Sequence, residues 1–355
     1  MSRKTKTSFA IRMAMLVGVA LFLSAGCAEK PKLMLYNWDA YIDPDLVKAF
    51  EKEFKCKVVQ DTFDSNEMLE AKMKSGAANY DIIVPSSYVT ERLYKQGLIQ
   101  KLDHSLIPNL QHVDQDILAQ LPDGDMEHSV PYMMGYAAIG YNADQVKGFE
   151  ATWRMFERGD LKNRVTLLND LREVIGAALL TLGYSVNTRS EAEIKEAAQL
   201  VMKWKQTIAK FENEQYKNGL ASGEYFMVQG YVCDMLQVQE ENPKKNIEIA
   251  IPQEGTTFAV DMLVIPAGAK NLELAYAFIN FLHDPEIAAQ NTEWVCQVCP
   301  NSASYPLLDK EFLENDVLFP DPELKAKCEL LEDVGDAIAI YNRYWDLIKT
   351  RDSID

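Results

Sequence analysis

Residues 33–86 read LMLYNWDAYIDPDLVKAFEKEFKCKVVQDTFDSNEMLEAKMKSGAANYDIIVPS, and the pattern of this stretch decides the fold class. Residues 33–37 are a short, mostly apolar run that reads as a strand. Asp43-Pro44 then marks a helix start, because an Asp side chain caps free N–H groups and proline suits the first turn. Leu46, Val47, Phe50 and Phe54 fall on one face of that helix. Residues 58–63 are β-like. Ser65 caps a second helix, with Met68, Leu69 and Met73 as its apolar side. Residues 81–85 return to a buried strand. This β-α-β-α-β order predicts an open α/β sheet with mostly parallel strands. In such sheets ligands sit beyond the carboxyl ends of the strands. Asn37-Trp38-Asp39 and Ser86-Ser87-Tyr88 occupy those positions.

Further along, the same style continues. Residues 165–168 read as a strand, 170–182 as a helix and 191–211 as a longer helix. Residues 225–228 and 247–251 look like strands. Asn271 caps a helix running through Phe281, and residues 334–348 form a closing helix. There is no internal repeat, no low-complexity segment and no break in composition. That fits a chain of 355 residues that crosses between two lobes more than once.

Toward the other end, Arg3, Lys4, Lys6 and Arg12 precede a short apolar run, residues 13–23. Small residues then lead to Cys27. The run is too short to span a bilayer as a helix, which takes about 18 residues or more. Residues 1–26 therefore read as a lipoprotein export signal, with lipid on Cys27 holding the body outside the cytoplasm, in the periplasm. Ser24 stands where the usual lipobox has Leu, and Leu23 lies one residue further back.

The formal charge is −17, and the basic leader leaves the remaining body more acidic still. Such a body repels nucleic acid and anionic lipid heads and attracts cations. Besides Cys27 there are Cys56, Cys233, Cys296, Cys299 and Cys328. The C-x-x-C of Cys296 and Cys299 admits a disulfide, a redox pair or half of a metal site. No His lies close by for zinc, and Pro300 follows where a redox motif would open a helix. Buried free thiols or one structural bridge are the favoured expectation.

Enzyme motifs are absent: there is no G-x-S-x-G, H-E-x-x-H, P-loop or G-x-G-x-x-G. His104, His112, His128 and His283 are scattered. No cofactor, metal or catalytic residue is expected. What stands out is a set of aromatics and acids at strand ends. Trp38, Asp39 and Tyr41 follow the first strand, and Tyr88 follows the third. Asp170 and Glu173 share a helix face. Tyr231 and Asp234 follow another strand, and Asp261 precedes an apolar run. Taken singly, most of these would be caps, turns or core.

Together they carry a resemblance. Tyr36-Asn37-Trp38, Ser65-Asn66-Glu67, residues 80–86, residues 170–174, Lys270-Asn271 with residues 279–282, and Asp333-Val334-Gly335 resemble the bacterial spermidine/putrescine-binding proteins of the PotD/PotF type. The likeness runs from about Leu33 to the C-terminus. It implies a type II periplasmic binding protein, α/β, with two lobes that are mixed sheets flanked by helices and joined by crossover hinges. One lobe would be residues 31–133 plus 257–305, the other 134–256 plus 306–355. It further implies a monomeric receptor that gives a polyamine to the membrane permease of an ABC importer, with no nucleic-acid partner. A receptor of the same fold for another organic cation, and a polyamine sensor for a membrane signalling partner, are the alternatives.

By the same resemblance, Trp38 and Tyr231 would flank the methylene stem, Tyr231 replacing a common Trp. Asp234 and Asp261 would hold one ammonium, and Glu173 with Asp170 an end of the ligand. Asp39, Ser86 and Tyr88 would line the pocket, with Tyr41 stacking nearby and Asn213 at another lining position. The chain departs from the pattern at Ala259, at Gln297 in place of a pocket Tyr, and at Leu331. Asp234 leans the expectation toward a compact dication such as putrescine.

Overall fold

A computed structural model describes residues 30–76, 79–351 and 353–354. The expected leader and Cys27 lie outside the described residues. A three-stranded parallel sheet is built from β1 (Lys32–Trp38), β2 (Lys57–Phe63) and β3 (Ile82–Ile83) in the order β2-β1-β3. Leu33, Leu35, Tyr36 and Asn37 of β1 are all buried, as expected for a strand covered on both faces.

A second sheet has the order β10-β9-β4-β7-β5-β6. Its strands are β4 (Val130–Asn142), β5 (Val165–Leu167), β6 (Lys210–Phe211), β7 (Met227–Tyr231), β9 (Thr257–Leu263) and β10 (Glu329–Leu330). A further strand, β8 (Ile247–Ala250), pairs with β4 outside that path. β4 changes partners along its length. Val130 to Tyr136 pair antiparallel with β9, with a register shift between Pro131 and Met133, and Ala137 to Tyr141 pair with β7. β9 in turn reaches the first sheet, through bridges of Val264 to Ile83 and Asp261 to Ser86. The paired strands β4 and β9 thus tie the two sheets together.

The helices follow from their caps and apolar faces. Asp43 caps α1 (Pro44–Glu53), accepting from the N–H of Asp45, and Ser65 caps α2 (Asn66–Lys74) through the N–H of Met68. α3 (Ser87–Lys95) starts at Ser86. Asp170 caps α4 (Leu171–Thr181), and Ser190 caps α5 (Glu191–Lys205). α6 (Gln215–Ser222) ends on Gly223 in the left-handed region, φ 84°. α7 (Val232–Glu241), α8 (Leu272–Leu282), α9 (Pro285–Val295) and α10 (Ile338–Thr350) complete the longer helices.

Four sequence expectations differ. Met68 is 46% exposed, so the buried side of α2 is Asn66, Leu69 and Met73. α5 stops at Lys205, because the chain turns so that the N–H of Ala209 can donate to Val165 and Phe211 can enter β6. Asn271 does not cap α8 with its side chain, which instead donates to Asp81 at 3.1 Å. Residues 81–85 contribute only Ile82 and Ile83 as regular strand. Among the described residues no helix is long and apolar enough to cross a membrane.

Candidate functional site

The site begins on one face of β9. Side chains alternate along a strand, so Thr257, Ala259 and Asp261 point the same way. Asp261 is 8% exposed and accepts from the hydroxyls of Tyr41 (2.6 Å) and Ser86 (2.7 Å). Ser86 is the last residue of the short link between β3 and α3, and Asn66 holds it from behind. Asn66 accepts from the Ser86 N–H (3.1 Å), and its Nδ2 contacts the hydroxyls of Ser86 and Tyr88, each at 3.0 Å. Tyr41 is fixed in turn by its carbonyl, which accepts from Tyr132 at 2.6 Å. Tyr41, expected to stack nearby, also orients Asp261 through its hydroxyl.

The other end of the row is Thr257, whose hydroxyl donates to Glu173. Glu173 is the third residue of α4, buried, and Asp170 caps the same helix by accepting from the N–H groups of Arg172 (2.8 Å) and Glu173 (3.1 Å). Acids in a first turn are favoured by the helix dipole. Burial raises both carboxyls, the nearby charge of Arg172 lowers them by less, and the Arg172 side chain makes no hydrogen bond to either. Its guanidinium is engaged by the carbonyls of Glu332 (2.9 Å) and Val186 (3.3 Å) and by Asn187 (2.8 Å). Thr257 and Asp261 are four residues apart, so their backbone positions are separated by about 13 Å along β9 at ~3.3 Å per residue.

Burial sets the electrostatics. It raises the Asp261 carboxyl to about 6, the Ser86 and Tyr41 hydroxyls pulling the other way. Burial, with Asp170 adding, pushes Glu173 well above the ordinary carboxylate range, and burial also raises Asp170. Tyr231, beside Asp170 and Glu173, is raised well above the usual phenol value, chiefly by burial. Among the described residues no Lys, Arg or His side chain bonds to Glu173 or Asp261. Both are buried carboxyl groups whose side-chain hydrogen bonds come only from hydroxyls, so ionising them costs free energy unless a cation arrives.

Between the two acids the floor is small. Ala259 pairs with Gly135 of β4. Gln297 lies over Gly135, since a Cβ there would sit 2.0 Å from its Nε2. Gln297 is 8% exposed and its Oε1 has no hydrogen-bond partner. Trp38, at the end of β1, packs on Phe63 at 4.3 Å between centroids, and its buried Nε1 also lacks a partner.

Other expected residues sit elsewhere. Asp234, in the first turn of α7, accepts from the Tyr216 hydroxyl and forms an ion pair with Lys217 at 3.1 Å. Asp234, expected to hold an ammonium together with Asp261, is therefore paired with a cation of the protein's own. Asp39 is exposed. Asn213 accepts from the Asn169 N–H at 2.8 Å and lines a cavity of about 260 Å³ with Asp64, Ser65, Glu67, Asn169 and Trp345. Glu67 is solvent-exposed at this cavity, and its carboxyl is raised by desolvation and by the facing Asp170. Sequence reasoning did not select Asn66, Glu67, Tyr216, Lys217 or Thr257 as site residues. Of these, only Asn66 and Glu67 had a signal, in the Ser65-Asn66-Glu67 motif.

Among the described residues Cys56, Cys233, Cys296, Cys299 and Cys328 are free thiols. Cys299 is buried, and Cys296 ends α9 with φ 57°. Among the described residues no cluster of three or more His, Cys, Asp or Glu is placed to hold a metal.

Residues 45–321 match the family described as bacterial extracellular solute-binding protein. The spermidine/putrescine-binding periplasmic protein of Salmonella typhimurium is 37% identical over 336 residues, 93% of this chain and 95% of that one. The putrescine-binding periplasmic protein PotF of Escherichia coli is 33% identical, covering 95% and 96%. Among solved structures, the TpPotD lipoprotein of Treponema pallidum superposes with a TM-score of 0.81 at 35% identity, covering 89% of this chain and 99% of that one. A spermidine/putrescine ABC transporter protein of Listeria monocytogenes superposes at 0.84 with 32% identity, over 90% and 99%. The fold is thus the periplasmic binding protein that the family resemblance implied, and the chain belongs to the family of bacterial extracellular solute-binding proteins.

Proposed function

We propose that this chain is an extracytoplasmic polyamine receptor, not an enzyme, that hands putrescine or spermidine to the permease of an ABC importer. The observation that carries the reading is the pair Glu173 and Asp261. Glu173, reaching Thr257 from α4, and Asp261, four residues further along β9, are buried carboxyl groups toward the two ends of one strand face, and among the described residues no basic side chain hydrogen-bonds to either. An extended diamine of four methylenes spans ~6 Å between nitrogens at about 1.25 Å per staggered bond. Adding about 2.8 Å of hydrogen bond at each end gives about 12 Å, comparable to the run of β9 from Thr257 to Asp261.

The energetics fit a small aliphatic cation. Burying four methylenes at about 0.8 kcal/mol each contributes ~3 kcal/mol. The faces of Trp38 and Tyr231 add about 0.5–2 kcal/mol each as cation–π and dispersion partners. Micromolar binding takes about 8 kcal/mol, so charge-assisted bonds to Glu173 and Asp261 supply the remainder. Ser86, Tyr88, Tyr41 and Asp170 position those acids, while Gln297 offers a free acceptor and Asp39 and Asn213 stand at the rim.

In this reading residues 31–133 plus 257–305 form one lobe and residues 134–256 plus 306–355 the other, with the ligand between them. Residues 1–26 are the export signal, lipid on Cys27 holds the monomeric receptor to a membrane in the periplasm, and the permease is the partner. The relatives' names and the TpPotD lipoprotein support this. Titration calorimetry of the mature protein with putrescine, cadaverine, spermidine and spermine tests it. Micromolar or tighter binding of at least one is expected, and absence of heat with all four overturns the reading.

A further inference from the structure

Gln297 brings an unpartnered acceptor to the middle of the candidate site. The residue is buried, and its Oε1 has no hydrogen-bond partner. The chain around it is pinned. Cys296 turns in the left-handed region at φ 57°, and the Met134 N–H donates to the Val298 carbonyl at 2.8 Å, bridging this segment to β4. Gly135, next on β4, leaves room for the carboxamide: a Cβ there would lie 2.0 Å from its Nε2 and 2.7 Å from its Cδ. Gly135 stands directly opposite Ala259 of β9. Residues directly opposite across a ladder face the same way. The carboxamide therefore lies over the row of Thr257, Ala259 and Asp261, between the end held by Glu173 and the end at Asp261.

A buried acceptor left unpaired costs free energy, and a ligand that supplies the missing donor removes that cost. A linear diamine presents only methylenes between its ends. A triamine carries a secondary ammonium three or four methylenes from a terminal one, about 5–6 Å away at ~1.25 Å per staggered bond. Ala259 lies two residues from Asp261, about 6.6 Å along β9 at ~3.3 Å per residue. With one terminal ammonium at Asp261, the secondary one falls beside the Gln297 carboxamide. The other arm runs toward Glu173 and Asp170. Three charges then meet three carboxyl groups to which, among the described residues, no basic side chain hydrogen-bonds. Asp234, on which the expectation of a compact dication rested, is paired with Lys217 and does not decide between the two ligand types.

We infer that Gln297 is a specificity-determining residue: its Oε1 accepts a hydrogen bond from an internal secondary ammonium of the ligand, so the cleft favours a triamine over a diamine of equal length. This deepens the receptor reading and rests on it. A bond from a charged donor to a desolvated acceptor is among the stronger ones, and a methylene at the same place leaves the acceptor stranded. The feature that is read is one atom of the ligand chain, not its length or bulk.

The test is calorimetry with spermidine and 1,8-diaminooctane, which have equal numbers of chain atoms and differ only in a secondary ammonium against a methylene at one of them. The mature parent is compared with Gln297→Met, Gln297→Leu and Gln297→Glu. Met and Leu remove the acceptor at similar volume, so one of them serves if the other folds poorly. Each should raise the spermidine Kd relative to the diaminooctane Kd by about tenfold. Glu keeps an acceptor at the same reach and should hold or increase the parent's preference for spermidine. A general packing role for Gln297 would shift both ligands alike. A ratio raised less than threefold in both the Met and Leu variants overturns the inference, as does a Glu variant that loses the preference as Met does. A parent that binds putrescine and not spermidine also overturns it, and all three outcomes leave the receptor reading intact. No binding of any amine by the parent overturns both.

Discussion

Tyr41 and Asp261 are 220 residues apart in the chain and share a 2.6 Å hydrogen bond that is buried from solvent. With Ser86 on the other oxygen, the bond fixes the carboxylate while leaving it unneutralised. An ammonium is the partner such a group lacks.

Asp261→Asn keeps the shape of this group and removes its charge. We expect affinity for putrescine to fall about 100-fold or more, equivalent to ~3 kcal/mol, because a buried ammonium is stranded. Calorimetry beside a thermal melt separates this from unfolding. An Asn variant that binds as the parent does would remove Asp261 from the site.

Binding should strengthen with pH. Burial holds Asp261 at about 6 and Glu173 well above its ordinary value, so in the empty cleft these groups keep protons to higher pH than in the unfolded chain. A cationic ligand needs the ionised forms, so binding releases protons and log K rises with pH through the raised values. The ligand-free protein has the opposite trend. Its stability is undiminished below the unfolded carboxylate pKa and is lost as pH rises through the folded ones. Calorimetry from pH 5 to 9 in buffers of different ionisation enthalpy reads the proton count. A flat profile contradicts the assignment.

Gly255 has φ +90°, and a Cβ there would lie 2.1 Å from the Lys327 carbonyl oxygen. That neighbour is backbone and cannot rotate away. Gly255→Ala should cost about 2–4 kcal/mol of stability through strain and clash, with ligand affinity changed far less. Urea unfolding measures it.

Asp333 lies 3.6 Å from Arg92 and 3.7 Å from Lys95, contacts that join the two proposed lobes. Asp333→Asn should weaken ligand retention by no more than about 1 kcal/mol, seen as a two- to fivefold faster release. Stopped-flow release should show this difference shrinking at high salt.

The first sheet was legible because β1 and α1 carry local signals: an apolar run, then an Asp cap before proline. β4 was not. It is buried on both faces, so it shows no alternation, and Pro131, Gly135 and Gly140 punctuate it as a loop would be. The period of α5 continues past Lys205 in the sequence, and only pairing with Val165 shows where it ends. Asp170, Glu173 and Asp261 were found at element ends, where local rules apply. Their hydroxyl partners, and the lysine that answers Asp234, come from remote stretches. A lysine on a short amphipathic helix looks in sequence like any solvated face.

The strands β4 and β9 hydrogen-bond to each other while passing between the sheets. Neither can flex alone without breaking that ladder, so both must bend as a single leaf spring. Their register shift at Pro131 and side-chain-free Gly135 mark the pliable part. If the two proposed lobes close on a ligand, that motion has one principal coordinate, and the proposed permease would read a binary signal: empty and open, or filled and shut.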